Sequence, residues 1–294
     1  MANDETRCSL HDWASLRSEL LFIFDQPVPV GSLQASGTRE GDISAWLVRR
    51  GRVRMEADGE MAEAHVGEWL ICSGHEIRQE IAPGTRLLSL RILHGWPSGK
   101  SLFAGSPLQL LAAKRYPRLE RLALVLMRVV GRIRVNDAAD DPRESFLWQT
   151  RLDYSTYLRY ERTLLAWMAE LTHAMAAEGR RVQAPGDVDP RLAKGFHVVD
   201  SLPPSASFPE EALERASGLS IGRLNRLSAQ VYGFTVYGYW ERRRIERAKL
   251  ALEQPAVRIK EVASDLGFVQ LSHFSAWFKR GTGVSPRAFR ERKT

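Results

Sequence analysis

The sequence predicts an α+β multidomain chain: a small N-terminal antiparallel β-barrel or sandwich with helices behind it, then an all-α basic domain. Three observations carry this. Apolar residues alternate with period two between Ile43 and Leu93, the period becomes helical from about Pro107, and the excess positive charge is confined to the last third. Of 294 residues with a formal net charge of +7, residues 189–294 hold 18 Lys and Arg against 11 Asp and Glu, whereas residues 1–188 hold 24 of each. A segregated basic domain points to a polyanionic partner, nucleic acid before a membrane surface.

Composition excludes other classes. At 44% hydrophobic and 26% charged residues, the chain is neither disordered nor collagen-like. The longest apolar candidate, from Leu122 to Val130, is interrupted by Arg128, so no membrane span is expected. Asp4 and Glu5 stand where a signal peptide would be basic and then apolar. Cys8 and Cys72 form no CxxC pair, and a reducing cytoplasm is the expected compartment.

In chain order, Leu16, Leu20 and Ile23 predict a short helix, ended by Pro27 and Pro29. Val53, Met55 and Ala57 then alternate with Arg52, Arg54 and Glu56, and Asp58-Gly59 is the signature of a tight hairpin turn. Leu88, Leu90 and Ile92 alternate in the same way. Leu119, Leu122, Leu126, Val129 and Ile133 form one helical stripe; Tyr157, Tyr160, Leu164, Met168, Leu171 and Met175 form a second, after a break from Asp137 to Pro142. Two such stripes suit helix packing within a subunit or a dimer seam between two. The domains are expected at 1–105 (β-rich, sensory) and 106–177 (helical, packing or oligomerisation), with a polar Gly/Pro-containing linker at 178–188 and a DNA-binding domain at 189–294. Asp189-Pro190 opens the last of these as N-cap and first helical residue, with Leu192, Phe196 and Val199 on one face and Pro203-Pro204 as the stop.

The strongest signal is an internal repeat at an offset of fifty residues. Leu224, Gly233, Thr235 and Tyr239 recur as Phe274, Gly283, Ser285 and Phe289. In the second copy Ile259, Val262, Ala263 and Leu266 make one helical face, Gly267 allows a turn, and Phe274, Trp277 and Phe278 make the buried side of the next helix. This is the layout of a helix-turn-helix, whose second helix enters the DNA major groove.

The run Gly267-Phe268, Ser272-His273-Phe274-Ser275, Phe278-Lys279-Arg280, Gly283-Val284-Ser285-Pro286 and Phe289-Arg290 resembles the C-terminal signature of the AraC/XylS family of bacterial transcription regulators, and Arg244-Ile245 with Ala248 resembles its linking helix. The resemblance covers residues 189–294. It implies seven helices, with two recognition helices held about one DNA turn apart by a long linking helix. Carried over residue by residue, it assigns DNA-reading positions to Gly222, Asn225 and Arg226 on a first recognition helix near Ile221 to Val231. On a second, near Gln270 to Lys279, it assigns them to Ser272, Ser275 and Ala276, with Lys279 and Arg280 toward phosphates. Arg226 can pair bidentately with guanine and Asn225 with adenine. Three positions depart from the family's pattern. Ala276 replaces an arginine, which weakens reading by the second helix. Ser228 replaces a large apolar residue, and its hydroxyl needs a partner or the first unit packs loosely. Glu214 replaces an alanine. About half of Arg242, Arg243, Arg244, Arg247, Lys279, Arg280, Arg287 and Arg290 are expected at phosphates, the rest solvated or paired with Glu241, Glu246 and Glu291.

The N-terminal strands resemble a cupin-like barrel through Gly51, Asp58-Gly59 and the stretch Gly67 to His75. None of the histidines at 11, 65, 75, 94, 173, 197 and 273 forms the His-x-His or i,i+4 pair from which a metal site would start. No metal, cofactor or catalytic residue is therefore expected, and His75 reads as a barrel-rim or core residue. Gly95 to Ser101 imitates a phosphate loop, but its glycine spacing is one residue short, with Pro97 inside. Cys72 reads as a small apolar strand residue rather than a redox sensor.

The function expected from this is a cytoplasmic, non-enzymatic, sequence-specific transcription regulator acting on double-stranded promoter DNA. By the resemblance it is an activator that works with RNA polymerase. A small-molecule effector in the barrel and a homodimer belong to this version. The alternatives are control by a protein partner or by expression level with no ligand, and a metal-dependent cupin enzyme fused to a DNA anchor.

Overall fold

The computed structural model describes residues 6–28, 33–38, 42–96, 101–136, 152–184, 189–252 and 257–291. It divides into two compact units, residues 1–9 with 16–184, and residues 10–15 with 185–294. The expected α+β multidomain architecture is observed.

The first unit contains β1 (Arg17–Pro27), β2 (Gln34–Thr38), β3 (Asp42–Arg50), β4 (Arg52–Ala57), β5 (Glu60–His65), β6 (Glu68–Cys72), β7 (Glu76–Ile81), β8 (Arg86–Gly95) and β9 (Leu108–Ala112), followed by α2 (Pro117–Asn136) and α3 (Tyr154–Ala177). The helix α1 (Leu10–Ser15) groups with the second unit. The strands form two antiparallel sheets, of order β1-β8-β3-β6-β9 and β2-β7-β4-β5. They do not close into one barrel, yet they share a core: Trp46, Val48, Leu70, Cys72 and Leu87 from the larger sheet meet Val53, Met55, Ala64, Ile77 and Ile81 from the smaller. The smaller sheet keeps the alternation read from the sequence, with Val53, Met55 and Ala57 buried, and its β4–β5 hairpin turns at Asp58 and Gly59, both at positive φ. In the larger sheet Asp42 to Val48 are buried without alternation, because helices cover its other face. There Trp69 meets Trp167 edge-on at 6.5 Å, and the Leu20 amide donates to the Tyr160 hydroxyl. Burial pushes the Tyr160 phenol far up.

Two expectations are corrected here. Residues 17–27 are strand, not helix. A bulge in the β1–β8 pairing between Leu20 and Phe22 shifts the parity of the pleat, so Leu20, Leu21 and Ile23 are all buried and mimic a helical spacing. Residues 108–112 are also strand: the apolar run pairs with β6 from Glu68↔Ala112 to Cys72↔Leu108 and covers that sheet edge, so helix begins only at Pro117. Cys72 lies buried in the shared core, and His75 is exposed beside the Asp58 turn.

The two helical stripes pack on each other. On α2 the buried line is Leu119, Ala123, Leu126 and Val130, one residue off the expected one at two positions. On α3 it is Leu164, Trp167, Met168, Leu171 and Met175, and Trp167 donates to the Leu119 carbonyl at 3.1 Å. Leu126 and Leu171 are thus spent inside the subunit. The side chain of Ile133, the break at 137–142 and residues 97–100 of the imitation phosphate loop lie outside the described residues.

Candidate nucleic-acid interface

The second unit holds α4 (Pro190–Asp200), α5 (Glu210–Ser217), α6 (Ile221–Tyr232), α7 (Val236–Leu252), α8 (Ile259–Asp265), α9 (Leu271–Thr282) and α10 (Pro286–Glu291). Asp189 caps α4 as expected, accepting from the Arg191 amide, and Leu192, Phe196 and Val199 are buried beneath it. The pairs α5–α6 and α8–α9 are two helix-turn-helix units. The fifty-residue repeat is kept to the residue, with α6 and α9 starting and ending fifty positions apart. Each ends at a left-handed glycine, Gly233 and Gly283, that any residue with a Cβ would strain.

The first unit is well seated despite its unusual residues. Ser228 is fully buried, and its hydroxyl donates to the Phe234 carbonyl at 2.6 Å, which ties α6 to the segment leading into α7. Ser220 makes no side-chain cap for α6. Instead the Glu214 carboxylate, reaching over from α5, accepts from the Ile221 amide at 2.8 Å, where a negative charge favours the helix start. Both departures from the family's pattern therefore have partners, and the loose packing that Ser228 threatened is not found.

On α6, Gly222 and Arg226 lie exposed on the side opposite the buried Leu224 and Ser228. Arg226 Nε donates weakly to the Gly222 carbonyl at 3.3 Å. Asn225 is half-buried, and its Oδ1 accepts from the Tyr237 amide at 3.3 Å, so its acceptor must change partner before it can read adenine bidentately. On α9, Ser272, Ala276 and Lys279 line the equivalent face, Arg280 is exposed beside them, and Ser275 is half-buried. The structure thus brings two assigned residues to the exposed face of α6 and three, with Arg280 beside them, to that of α9, and puts Asn225 and Ser275 at the margins. Arg223 on α6, Val269 just before α9, and Leu271 and His273 in its first turn are also exposed and were missed. The repeat offset was the available signal, since it aligns Arg223 with His273 and Ile221 with Leu271.

The arginines of α7 are mostly engaged within the protein. Arg243 is paired with Asp200, Arg244 is enclosed, and Arg247 is only 8% exposed. Arg242 lies over the Phe234 ring at 4.0 Å. Arg290 donates to the Leu252 and Val257 carbonyls, and Arg287 is paired with Glu291. Burial lowers the affinity of Arg244 and Arg290 for their protons, and Glu241 opposes this at Arg244. The cations that remain outward on the two recognition helices are Arg223, Arg226, Lys279 and Arg280. They fall in the first turns of α6 but in the last turns of α9.

Comparison with known proteins agrees with this anatomy. A family model described as "Helix-turn-helix domain" matches residues 213–292. The arabinose operon regulatory protein of Escherichia coli K12 is 30% identical over 134 residues, 45% of this chain and 45% of its own length. The HTH-type transcriptional activator RhaR of Cronobacter sakazakii is 37% identical over 68 residues, 23% of this chain and 24% of its own. The chain spans less than half the length of these curated relatives. Among solved structures, ToxT from Vibrio cholerae O395 aligns over 96% of this chain and 99% of that one, at 12% identity and a TM-score of 0.46. Two helix-turn-helix units joined by α7, the helix-turn-helix family model over residues 213–292 and the match to the arabinose regulator agree: the C-terminal part of the chain holds a helix-turn-helix domain and is similar to that regulator.

Proposed function

We propose that the chain is a sequence-specific transcription regulator that binds promoter DNA through α6 and α9 and activates transcription with RNA polymerase. The observation that carries this is the repeat itself: two helices fifty residues apart, each buried on one side and carrying an exposed polar face flanked by cations on the other. A recognition helix placed in a major groove needs that division. Activation rests on the family and on the name of the RhaR relative.

The N-terminal unit serves as the sensing and self-association part. A small-molecule effector between its sheets would bias one arrangement of the chain over another, a population shift rather than a chemical step. Among the described residues no group of three or more His, Cys, Asp or Glu could hold a metal. No helix among them is long and apolar enough to cross a membrane. Homodimerisation is supported by Tyr154, Leu158 and Leu165, which leave an apolar line exposed on α3 after its other face is buried. Control by a protein partner in place of an effector is the second reading, and the same exposed line favours it.

The test is binding of the full chain to duplex DNA across a salt series. Affinity is expected to fall with a log–log slope of about −0.9 per phosphate neutralised. A salt-indifferent chain, or one that prefers anionic vesicles to DNA, overturns the proposal. Mapping the bound DNA across the source genome then identifies the regulated genes.

A further inference from the structure

We propose that Arg244 is a positioning residue that fixes the spacing between the two recognition helices, and with it the one half-site separation the protein accepts. The inference rests on the DNA-binding reading above. Arg244 leaves the middle of α7 and joins the loop after α4 to the second helix-turn-helix unit. Its Nε donates to the Pro204 carbonyl at 3.2 Å, in the loop after α4, and its Nη2 donates to the Leu266 carbonyl at 2.7 Å, at the end of α8. The guanidinium lies 4.7 Å from the Trp240 ring centre, 5.0 Å from Phe268 and 5.1 Å from Trp277. Glu241 is 3.6 Å from Arg244 Nη1 and accepts from Trp277 Nε1 at 2.8 Å. One planar cation therefore bridges the α4 loop, the linking helix, the turn of the second unit and the buried side of α9. A lysine could not reproduce this, because it has no fork and no flat face to stack.

Two independent contacts hold the same joint. Gly267, in the turn between α8 and α9, has φ +80°, and a Cβ there would sit 2.7 Å from the Ser205 carbonyl oxygen. That turn rests directly on the α4 loop. Gly281 on α9 would place a Cβ 2.5 Å from Ile245 Cδ1, so α9 lies flush on α7. The α4 loop continues the helix whose Leu192, Phe196 and Val199 pack with Leu224 of α6. A stiff path thus runs from α6 through α4 and its loop to α9, with Arg244 at its centre.

Stiffness has a readable consequence on DNA. Each base pair inserted between half-sites moves the second one by about 3.4 Å and turns it by about a tenth of a revolution. A rigid pair of helices loses its second contact, and with it the gain from joined binding, whereas a hinged pair follows. Duplexes are first selected from a random pool with the full wild-type chain. The bipartite site obtained is then rebuilt with one base pair added or removed, and as single half-sites. Wild type is expected to lose about tenfold or more per step of spacing. Arg244→Lys is expected to lose less than about threefold, with binding to each single half-site unchanged. Gly267→Ala, which pushes the turn off Ser205 from the other side, is expected to do the same. A wild-type spacing profile in both variants overturns the proposal. So does loss of half-site binding in both, since the joint would then hold the fold and not the spacing. If the random pool yields no preferred site for wild type, it is the DNA-binding reading that fails.

Discussion

Ser228 offers the most direct check on how the first recognition helix is held. It is completely buried on α6, and its hydroxyl satisfies the Phe234 carbonyl at 2.6 Å, just past the left-handed Gly233. Ser228→Ala removes one oxygen and leaves that carbonyl without its donor, at about 1–3 kcal/mol. Local opening of α6 should then become about five- to 150-fold more populated, since about 1.4 kcal/mol is tenfold. Amide hydrogen exchange across residues 224–232 of the full chain reads this without requiring the whole protein to unfold in one step. Protection in α9 should not change, because its core of Phe274, Trp277 and Phe278 has no part in the bond. Ser228→Leu, which restores the family's usual apolar residue, should be no better, because a branched side chain has no room beside a carbonyl already in contact. If α6 protection in Ser228→Ala stays within twofold of wild type, the hydroxyl is not what seats this helix.

Arg226→Ala is expected to relax base preference in one half of the bound site at about 1–3 kcal/mol, whereas Ser275→Ala leaves preference nearly intact and Lys279→Ala weakens all sequences alike; position-by-position affinity measurements separate these. Leu126→Glu or Leu171→Glu should unfold the α2–α3 pair, both residues being fully buried, while Leu165→Glu, on the exposed line, keeps the fold and reduces self-association; circular dichroism and sedimentation report the two effects. Asp189 is held below the ordinary carboxylate range, first by the Arg191 side chain and then by the Arg191 amide. Its depressed folded pKa means that its cap on α4 stabilises above the ordinary carboxylate pKa and is lost as pH falls through the lowered value. Asp189→Ala should therefore remove the acid-side loss of α4 exchange protection, and an unchanged acid limb would contradict the role.

What was legible in the sequence was whatever repeats or alternates. The period of two in β4, the Asp58-Gly59 turn and the fifty-residue repeat all follow from side chains that face one way at regular intervals, and they appear in the structure at those residues, whereas the alternation read in β8 does not, Leu87 to Ile92 all being buried. The misreadings arose where tertiary pairing overrode local spacing. In β1 a bulge converted strand burial into an apparent helical stripe, and the short β9 run joined β6 through backbone bonds that no side-chain pattern announces. At the candidate interface, charge was visible but its direction was not. Arg243 and Arg244 look like phosphate contacts on a basic helix, yet Asp200 in one case and three aromatic rings in the other draw them inward from distant parts of the chain. Ser228 and Glu214 read as departures until their partners, the Phe234 carbonyl and the Ile221 amide, were located.

The central claim is that α6 and α9 read DNA together. The measurement that tests it most directly is enrichment of duplexes from a random pool by the full-length chain, followed by sequencing. The account predicts a bipartite site whose halves lie about 10–10.5 base pairs apart centre to centre, with the half specified by Arg226 the more constrained. No enrichment over the starting pool would contradict the account, and so would a single half-site unaffected by substitutions on either helix.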